Sequence, residues 1–257
     1  MSKLKLFLLF IVTVGGVLLI TNGTRWAIND YKNASLAGND KKYNLENVKQ
    51  VENSPLSGMN ILFLGSSVTN GSASRGISFA DYIAKRNNVT FVKEAVNGTT
   101  LVDEGEESYI KRLEAVDTSI KFDMVICQLS TNDATQGKPL GVLAVSKDPD
   151  TNTITGAIEY IIKYVKHTWD CPVVFYTGSY YESERYSEMV GVLNSLAKIR
   201  DVGVIDLYTD KEFNSISDEQ RAIYMADPIH PTKAGYLEWW TPKMEEYLYK
   251  FVSEREE

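Results

Sequence analysis

The chain has 257 residues, of which 44% are hydrophobic and 24% are charged, and its formal net charge at pH 7 is −7. This composition is typical of a globular protein and excludes a chain that is disordered throughout. The acidic balance and the scattered lysines and arginines exclude an extended nucleic-acid-binding surface, which needs clustered cations.

The first 21 residues have the pattern of an export signal. Lys3 and Lys5 precede a mostly apolar stretch at 6–20, after which the chain turns polar. This stretch is short for a membrane-spanning helix, which needs about 20 residues, but no small-residue cleavage motif follows it. We therefore expect residues 1–21 to be a signal anchor, or a signal peptide if they are cleaved. The rest of the chain is then expected outside the cell, anchored at the cell surface or secreted.

The next segment, residues 22–57, is polar and has no sustained hydrophobic period. Such a pattern predicts a tether between the export signal and a folded domain. The domain itself is predicted at 58–253.

Within this domain, short apolar runs alternate with amphipathic stretches. The predicted strands are 59–65, 90–96, 122–130, 172–178 and 203–208. The predicted helices are 78–86, 107–116, 155–169, 187–199 and 232–253. Apolar strands separated by helices indicate the α/β class, here a flavodoxin-like three-layer sandwich. Its central parallel sheet of about five strands carries helices on both faces.

Small and amide-bearing residues follow the first three predicted strands. Ser66 and Ser67 come after the first strand, Gly98 after the second, and Asn132 after the third. In an open parallel sheet, ligands bind beside the carboxyl ends of the strands. These residues are therefore expected to border a binding site.

An aspartate and a histidine share a late loop, in the segment ADPIHPT. Asp227 and His230 each precede a proline, which keeps both residues extended and the segment out of a helix. The Asp227 carboxylate can accept a hydrogen bond from Nδ1 of His230, which leaves Nε2 to take a proton from a hydroxyl. A serine needs such a base to become a nucleophile, and its acyl intermediate needs oxyanion donors.

Four segments together resemble one family. FLGSSVTNG, VNGTT, STND and DPIHPT, in this order over about 170 residues, resemble the SGNH (GDSL-like) hydrolases. The resemblance implies Ser67 as nucleophile, His230 as base and Asp227 as the residue that orients it. It also implies an oxyanion hole formed by the N–H groups of Ser67 and Gly98 and the side chain of Asn132.

Two positions depart from the family pattern. Ser66 stands where the family usually has aspartate, and Ser130 stands where it usually has glycine. Both departures concern loop geometry and substrate fit, since neither position carries the chemistry. The hydrogen bonds that the aspartate makes must come from another residue.

Further residues are candidates for substrate contact or have a structural alternative. Tyr180 and Tyr181 follow the fourth strand, at the edge where substrate is expected. The polar loop at 134–155 is either a lid or an insertion that sets specificity. As purely structural alternatives, Ser67 can cap a helix, and His230 can be a solvated loop residue.

The sequence thus predicts a serine esterase that removes small acyl groups, acetyl above all, from an extracellular carbohydrate or cell-wall substrate. Its activity is expected to fall when acid protonates His230. No cofactor, metal or nucleic-acid partner is expected, and the membrane is a partner only through the N-terminal segment. The alternatives are a lipase or lysophospholipase, a flavodoxin-like module that binds flavin mononucleotide at the serine-rich turn, and a non-catalytic binding module.

Overall fold

A computed structural model of the chain describes residues 32–143 and 148–256. The predicted export signal at 1–21 lies outside these residues, as does the start of the predicted tether. Within the described ranges, no helix is both long and apolar enough to cross a membrane.

Five strands form one parallel sheet in the described part of the chain. They are β1 (Asn60–Gly65), β2 (Thr90–Ala95), β3 (Met124–Gln128), β4 (Val173–Tyr176) and β5 (Gly203–Ile205). Their order across the sheet is β2-β1-β3-β4-β5. The predicted α/β class, with a parallel sheet of five strands, is confirmed.

Helices connect the strands and cover the sheet. They are α1 (Ser67–Asn70), α2 (Phe79–Asn87), α3 (Tyr109–Ala115), α4 (Thr131–Thr135), α5 (Ile154–Thr168), α6 (Glu184–Ala197), α7 (Asp218–Tyr224) and α8 (Thr241–Glu256), with a π-helical segment at Gly235–Trp240 before α8. Short 3-10 turns occupy Ala37–Asn39, Lys41–Tyr43, Leu45–Asn47 and Ser72–Ser74. The sequence predictions missed α7, a short helix without a buried residue, because it lacks an apolar stripe.

Each face of the sheet carries its own core. On β1, Leu62 and Leu64 pack into a cluster with α3, α5 and α6, whereas Ile61 and Phe63 pack into a second cluster with α2 and α8. Successive strand side chains point to opposite faces, so a strand that is apolar at every position supplies both cores. The sheet is therefore buried on both sides, as parallel sheets are.

The order of the strands changes direction at β1. The chain passes from β1 to β2 on one side and then crosses to β3 on the other side. Leu64 of β1 is in register with Cys127 of β3, so the residues that follow these two positions lie side by side at the carboxyl edge. This switch point is where open α/β sheets bind ligands.

Part of the segment predicted as a tether is folded onto the domain. In residues 32–57, the side chains of Tyr43 and Leu56 are buried. The amide of Asn39 is also buried and hydrogen-bonds to two other parts of the domain at 2.7 and 2.9 Å. The tether prediction was wrong for these residues, because single side chains and amides, rather than a periodic apolar face, attach the segment.

The loop predicted at 134–155 is attached to the domain at its ends. The N–H groups of Ile154 and Thr155 donate to the carbonyl oxygens of Pro139 and Leu140, both at 2.9 Å. Residues 144–147 of this loop lie outside the described residues. The described ends are thus held against the start of α5.

Candidate active site

Ser67 is the first residue of α1 and directly follows the turn at the end of β1. The turn requires glycine at position 65, because a Cβ atom there would lie 1.7 Å from Oγ1 of Thr69 and 2.8 Å from Oε1 of Gln128. Such distances are far below van der Waals contact. Gly65 therefore lets α1 approach β1 and β3 closely, which holds Ser67 at the carboxyl edge of the sheet.

Gln128, the last residue of β3, supplies the hydrogen bonds that organise this turn. Its Oε1 accepts from the backbone N–H of Ser66 at 2.9 Å, from the Thr69 hydroxyl at 2.8 Å and from the Thr69 N–H at 3.3 Å. The Ser66 hydroxyl is buried and has no hydrogen-bond partner among the described residues. A side chain from the neighbouring strand, rather than residue 66, thus holds the serine turn.

The structure brings Ser67, His230 and Asp227 into one hydrogen-bonded chain. The Oγ of Ser67 lies 2.8 Å from Nε2 of His230. The Nδ1 of His230 lies 2.8 Å from Oδ2 and 3.0 Å from Oδ1 of Asp227. With Nδ1–H donating to the carboxylate, Nε2 is left as a base toward the serine hydroxyl.

A tight loop presents the aspartate and the histidine. Met225 and Pro231 pair as an antiparallel bridge at its base, and the N–H of Ala226 donates to the His230 carbonyl at 2.9 Å. Beyond the loop, the hydroxyl of Tyr236 donates to the carbonyl of Val68 in α1 at 2.7 Å. The loop of His230 is therefore held together at its own base, and Tyr236, which follows it, binds the helix that carries Ser67.

The carboxylate of Asp227 is strongly stabilised in its ionised form. Burial by itself would raise its pKa, but the hydrogen bond and charge of the His230 imidazole and the N–H groups of Ile229 and His230 lower the pKa to about 2. These N–H groups donate at 2.8 and 2.9 Å. Asp227 therefore stays an acceptor for Nδ1–H at any pH near neutral.

The two other predicted oxyanion residues line the same cleft as Ser67 and His230. Gly98 has a φ of 81°, a left-handed conformation that favours glycine. The Nδ2 of Asn132 donates to the carbonyl of Thr99 at 2.8 Å. A side-chain amide carries two hydrogens, so the second can bind a substrate oxygen.

A buried guanidinium, that of Arg112 in α3, ties these segments together. It donates to the carbonyl of Gly65 at 2.8 Å, to that of Glu94 at 2.6 Å, to that of Glu107 at 3.0 Å and to the Thr99 hydroxyl at 3.2 Å. Arg112 is only 8% exposed, and burial lowers the pKa of its guanidinium. Arg112 thus joins the ends of β1 and β2 to the loop that contains Gly98.

Asp133 connects the loop after β2 to α4. Its carboxylate accepts from the N–H of Leu101 at 2.7 Å and from that of Val102 at 3.1 Å. The side chain is fully buried, and burial raises its pKa. These bonds fix the loop that carries Gly98 against the helix that carries Asn132.

Gln128 and Arg112 were absent from the residues predicted at the site. Gln128 carried a usable signal, since it is a polar side chain in the apolar run MVICQL, at the carboxyl end of a strand. The sequence around Arg112 gives no such signal, because a cationic side chain in an amphipathic helix is ordinarily exposed to solvent. Both residues act on the serine turn through main-chain groups, which sequence motifs do not show.

The serine and histidine line an open cleft of about 1090 Å³. One wall of this cleft comes from the segment 32–46, part of the predicted tether. The described residues of the loop at 134–155 do not line it. The cleft is therefore shaped in part by a segment that sequence analysis placed outside the domain.

Tyr180 and Tyr181 do not line this cleft. They lie in a second pocket of about 620 Å³, together with residues of α7 and of the loop at 226–228. The two pockets share Ala226 and Asp227 in their linings. The loop that carries Asp227 thus separates the two tyrosines from Ser67.

The residues that the structure describes contain neither a candidate metal site nor a disulfide. They contain no group of three or more His, Cys, Asp or Glu residues arranged to hold a metal ion. Cys127 and Cys171 are free and buried.

Comparison with known proteins gives one family and several similar structures. The family model of the GDSL-like lipases and acylhydrolases matches residues 63–237. A crystal structure of a protein from Lactobacillus plantarum is 20% identical, with a TM-score of 0.63, and the alignment covers 77% of this chain and 98% of that chain. A mutant of an acetyl-xylooligosaccharide esterase from Geobacillus is 16% identical, with a TM-score of 0.56 and coverage of 75% and 94%. At these identities the structural likeness concerns the fold alone, and no curated protein matches the sequence.

Proposed function

Because the chain belongs to the GDSL-like lipase/acylhydrolase family of SGNH serine hydrolases, we propose that it hydrolyses esters through Ser67, His230 and Asp227. We further propose that it removes small acyl groups, acetyl above all, from a carbohydrate or cell-wall polymer. The observation that carries the catalytic assignment is the contact of 2.8 Å between Ser67 Oγ and His230 Nε2 in the lining of an open cleft.

The first half of the reaction forms an acyl-enzyme. The hydroxyl of Ser67 gives its proton to Nε2 of His230 as Oγ attacks the ester carbonyl carbon, and Asp227 stabilises the imidazolium. The resulting oxyanion is bound by the N–H groups of Ser67 and Gly98 and by the second hydrogen of the Asn132 amide. When the intermediate collapses, the ester C–O bond breaks and His230 gives its proton to the departing alcohol.

The second half returns the free enzyme. Water replaces the alcohol, and His230 takes one of its protons as the hydroxide attacks the acyl carbon. Collapse of this second intermediate releases the carboxylic acid, and the proton returns from His230 to the Ser67 oxygen. The two half-reactions consume one ester and one water and need no cofactor.

Three features support a carbohydrate ester over a lipid ester. Polar side chains line much of the serine cleft, among them Asn33, Asn44, Asn70 and Asn97. The neighbouring pocket offers two tyrosine side chains, and aromatic rings suit the apolar faces of sugars. The similar protein from Geobacillus is an acetyl-xylooligosaccharide esterase, and we extend that substrate class to this chain as part of the proposal.

We also propose that the enzyme acts outside the cell, held at the membrane by its N-terminal segment or released from it. This part of the proposal rests on the sequence alone, namely on Lys3 and Lys5 followed by the apolar stretch at 6–20. An extracellular location would place the enzyme beside cell-wall polymers.

Hydrolysis of p-nitrophenyl esters of increasing chain length by the purified 257-residue protein tests the proposal, with Ser67→Ala and Ser66→Ala as a matched pair. We expect Ser67→Ala to lower kcat at least about a thousandfold, because it removes the nucleophile. Ser66→Ala should keep most of the activity, because the Ser66 hydroxyl makes no hydrogen bond to Ser67, His230 or Asp227. Acetate esters should be preferred to long-chain esters.

Other results would change the assignment. A preference for long acyl chains would favour the lipase alternative. Equal activity of Ser67→Ala and the unaltered protein would remove Ser67 as nucleophile. A yellow protein without turnover on any ester would favour the flavin-binding alternative, and a colourless protein that binds glycans without turnover would favour a non-catalytic module.

A further inference from the structure

The cleft that contains Ser67 is rich in cations, although the chain is acidic. Its lining includes three cationic side chains, those of Lys32, Arg75 and Lys233, in a protein with a net charge of −7. Its carboxylates are Glu46 and Asp227, and Asp227 is already engaged by His230. The lining thus holds three cationic side chains against two carboxylates, in a chain whose acidic residues outnumber its basic ones.

Lys233 is the most unusual of these cations. The residue is only 6% exposed, and lysine is almost never buried without an anionic partner. Its Nζ donates to Oδ1 of Asn44 at 2.6 Å, and Lys233 makes no ion pair within the described ranges. An ammonium has three N–H donors, so two of them are available to an acceptor in the cleft.

Arg75 reinforces the positive charge at this position. Burial lowers the pKa of Lys233 and the charge of Arg75 lowers it further, whereas the carboxylates of Glu46 and Asp40 oppose this shift. Arg75 is exposed and has a φ of 60°, a left-handed conformation that costs a non-glycine residue some strain. Arg75 and Lys233 both line the cleft, and an anion that binds near both cations reduces the repulsion between them.

The segment 32–46 builds the wall behind Lys233. Oδ1 of Asn39 accepts from the Lys233 backbone N–H at 2.9 Å, and Asn44 holds the ammonium. This segment precedes the family match, which begins at residue 63. The lysine is therefore positioned by a part of the chain that the general family pattern does not include.

We propose that Lys233 and Arg75 form an anion-binding subsite beside the catalytic serine and that the ester is carried by an anionic polymer. The subsite takes a carboxylate or a phosphate close to the acylated hydroxyl, and charge-assisted hydrogen bonds to both cations hold it. The proposal rests on the esterase function proposed above and specifies its substrate class.

Matched acetyl esters test the proposal on the 257-residue protein. The anionic esters are O-acetylated trigalacturonate and an O-acetylated trimer of glycerol phosphate, which separate a carboxylate from a phosphate ligand. The neutral partner is the same trigalacturonate ester with its carboxylates converted to amides. We expect kcat/KM to be about tenfold or more higher for at least one anionic ester than for the neutral one at low salt, and salt should reduce this preference.

Charge-removing variants then locate the subsite. Arg75→Gln and Lys233→Gln should each lower kcat/KM for the preferred anionic ester by about tenfold, with little change for p-nitrophenyl acetate. Lys85→Gln is the matched control, since Lys85 is an exposed lysine of α2 outside the cleft. If Lys233→Gln impairs folding, Lys233→Arg should restore the preference, and Arg75→Gln tests the same subsite from the protein surface.

Equal kcat/KM for charged and neutral esters at low salt, or variants that behave like Lys85→Gln, would overturn the subsite. A failure of the esterase function itself has a different signature, namely no Ser67-dependent hydrolysis of p-nitrophenyl acetate. In that case, titration calorimetry with unacetylated trigalacturonate and the unacetylated glycerol phosphate trimer tests the anion-binding subsite by binding alone. Binding that is lost in Arg75→Gln supports the subsite, and absence of binding overturns it.

Discussion

The Oγ of Ser67 and the Nε2 of His230 lie 2.8 Å apart, although 163 residues separate them in the chain. Ser67 depends on the turn after the first strand, and His230 depends on a loop near the last helix. Their contact therefore requires the sheet and both of its layers to be assembled. Activity is in this sense a sensitive measure of the native fold, and each variant below is paired with a measurement of stability.

Replacing Asp227 with asparagine should lower kcat by up to about ten-thousandfold, because an amide can present its NH₂ to Nδ1 and stabilise the wrong histidine tautomer. The matched control is Asp117→Asn, since Asp117 is an exposed carboxylate whose pKa is also lowered, by hydrogen bonds from Ser119. Asp117 precedes β3 and thus lies at the opposite edge of the sheet. Its replacement should leave kcat unchanged. Equal kcat values for the two variants would contradict the assigned role of Asp227.

The lowered pKa of Asp227 predicts that the stability of the protein depends on pH. The pKa of Asp227 is lowered from 3.8 to about 2 in the folded state. Its ionised form therefore stabilises the fold at any pH above the ordinary pKa of 3.8. That contribution is lost as the pH falls through the folded pKa. Chemical unfolding should therefore show a larger gap between the unaltered protein and Asp227→Asn at neutral pH than near pH 2. A constant gap would show that Asp227 is not stabilised in the native state.

Gln128→Met should disturb the serine turn while it preserves the volume of the side chain. The N–H groups of Ser66 and Thr69 would lose their buried acceptor, which should lower the free energy of unfolding by about 1–3 kcal/mol. Because the turn carries Ser67, the proposed nucleophile, kcat should fall more than KM rises. The control Gln136→Met removes an exposed amide and should change neither quantity. Urea unfolding and p-nitrophenyl acetate kinetics measure both, and a variant with unaltered kcat would exclude a positioning role for Gln128.

The sheet and the contact between Ser67, His230 and Asp227 were predictable because their signals are local. Apolar runs such as MNILFLG identify strands, and the prolines at 228 and 231 show that the acid and base lie in a loop. The buried amide of Asn39 was not predictable, because its bonding groups come from distant parts of the chain. The same holds for Gln128, whose partners lie 59 and 62 residues away. Motifs thus identify the side chains that meet at the candidate site, whereas the residues that hold them are determined by tertiary contacts.

Arg112→Lys should weaken the site although it keeps the charge. The guanidinium donates to three carbonyl oxygens and one hydroxyl at once, and a lysine ammonium cannot reach this planar set of acceptors. We expect the free energy of unfolding to fall by about 1.5–3 kcal/mol and kcat to fall with it. Arg255→Lys is the control, since Arg255 forms an ion pair with Asp201 at the surface. If both lysine variants behave alike in thermal unfolding and in kcat, Arg112 has no special role.

Asn132→Ala tests the oxyanion hole and separates it from the positioning of the loop. Loss of the amide should lower kcat by about a hundredfold to a thousandfold with little change in KM, because the second hydrogen of Nδ2 is used only when charge develops on the substrate oxygen. The variant also loses the bond of 2.8 Å to the Thr99 carbonyl, which is a stability effect and should appear in thermal unfolding. Asn152→Ala, at an exposed asparagine that bonds only to Asp150 in the described structure, controls for amide removal. If kcat falls no more than the fraction of folded protein, Asn132 only holds the loop. If kcat per folded enzyme falls by about a hundredfold or more, its amide acts on the reacting oxygen.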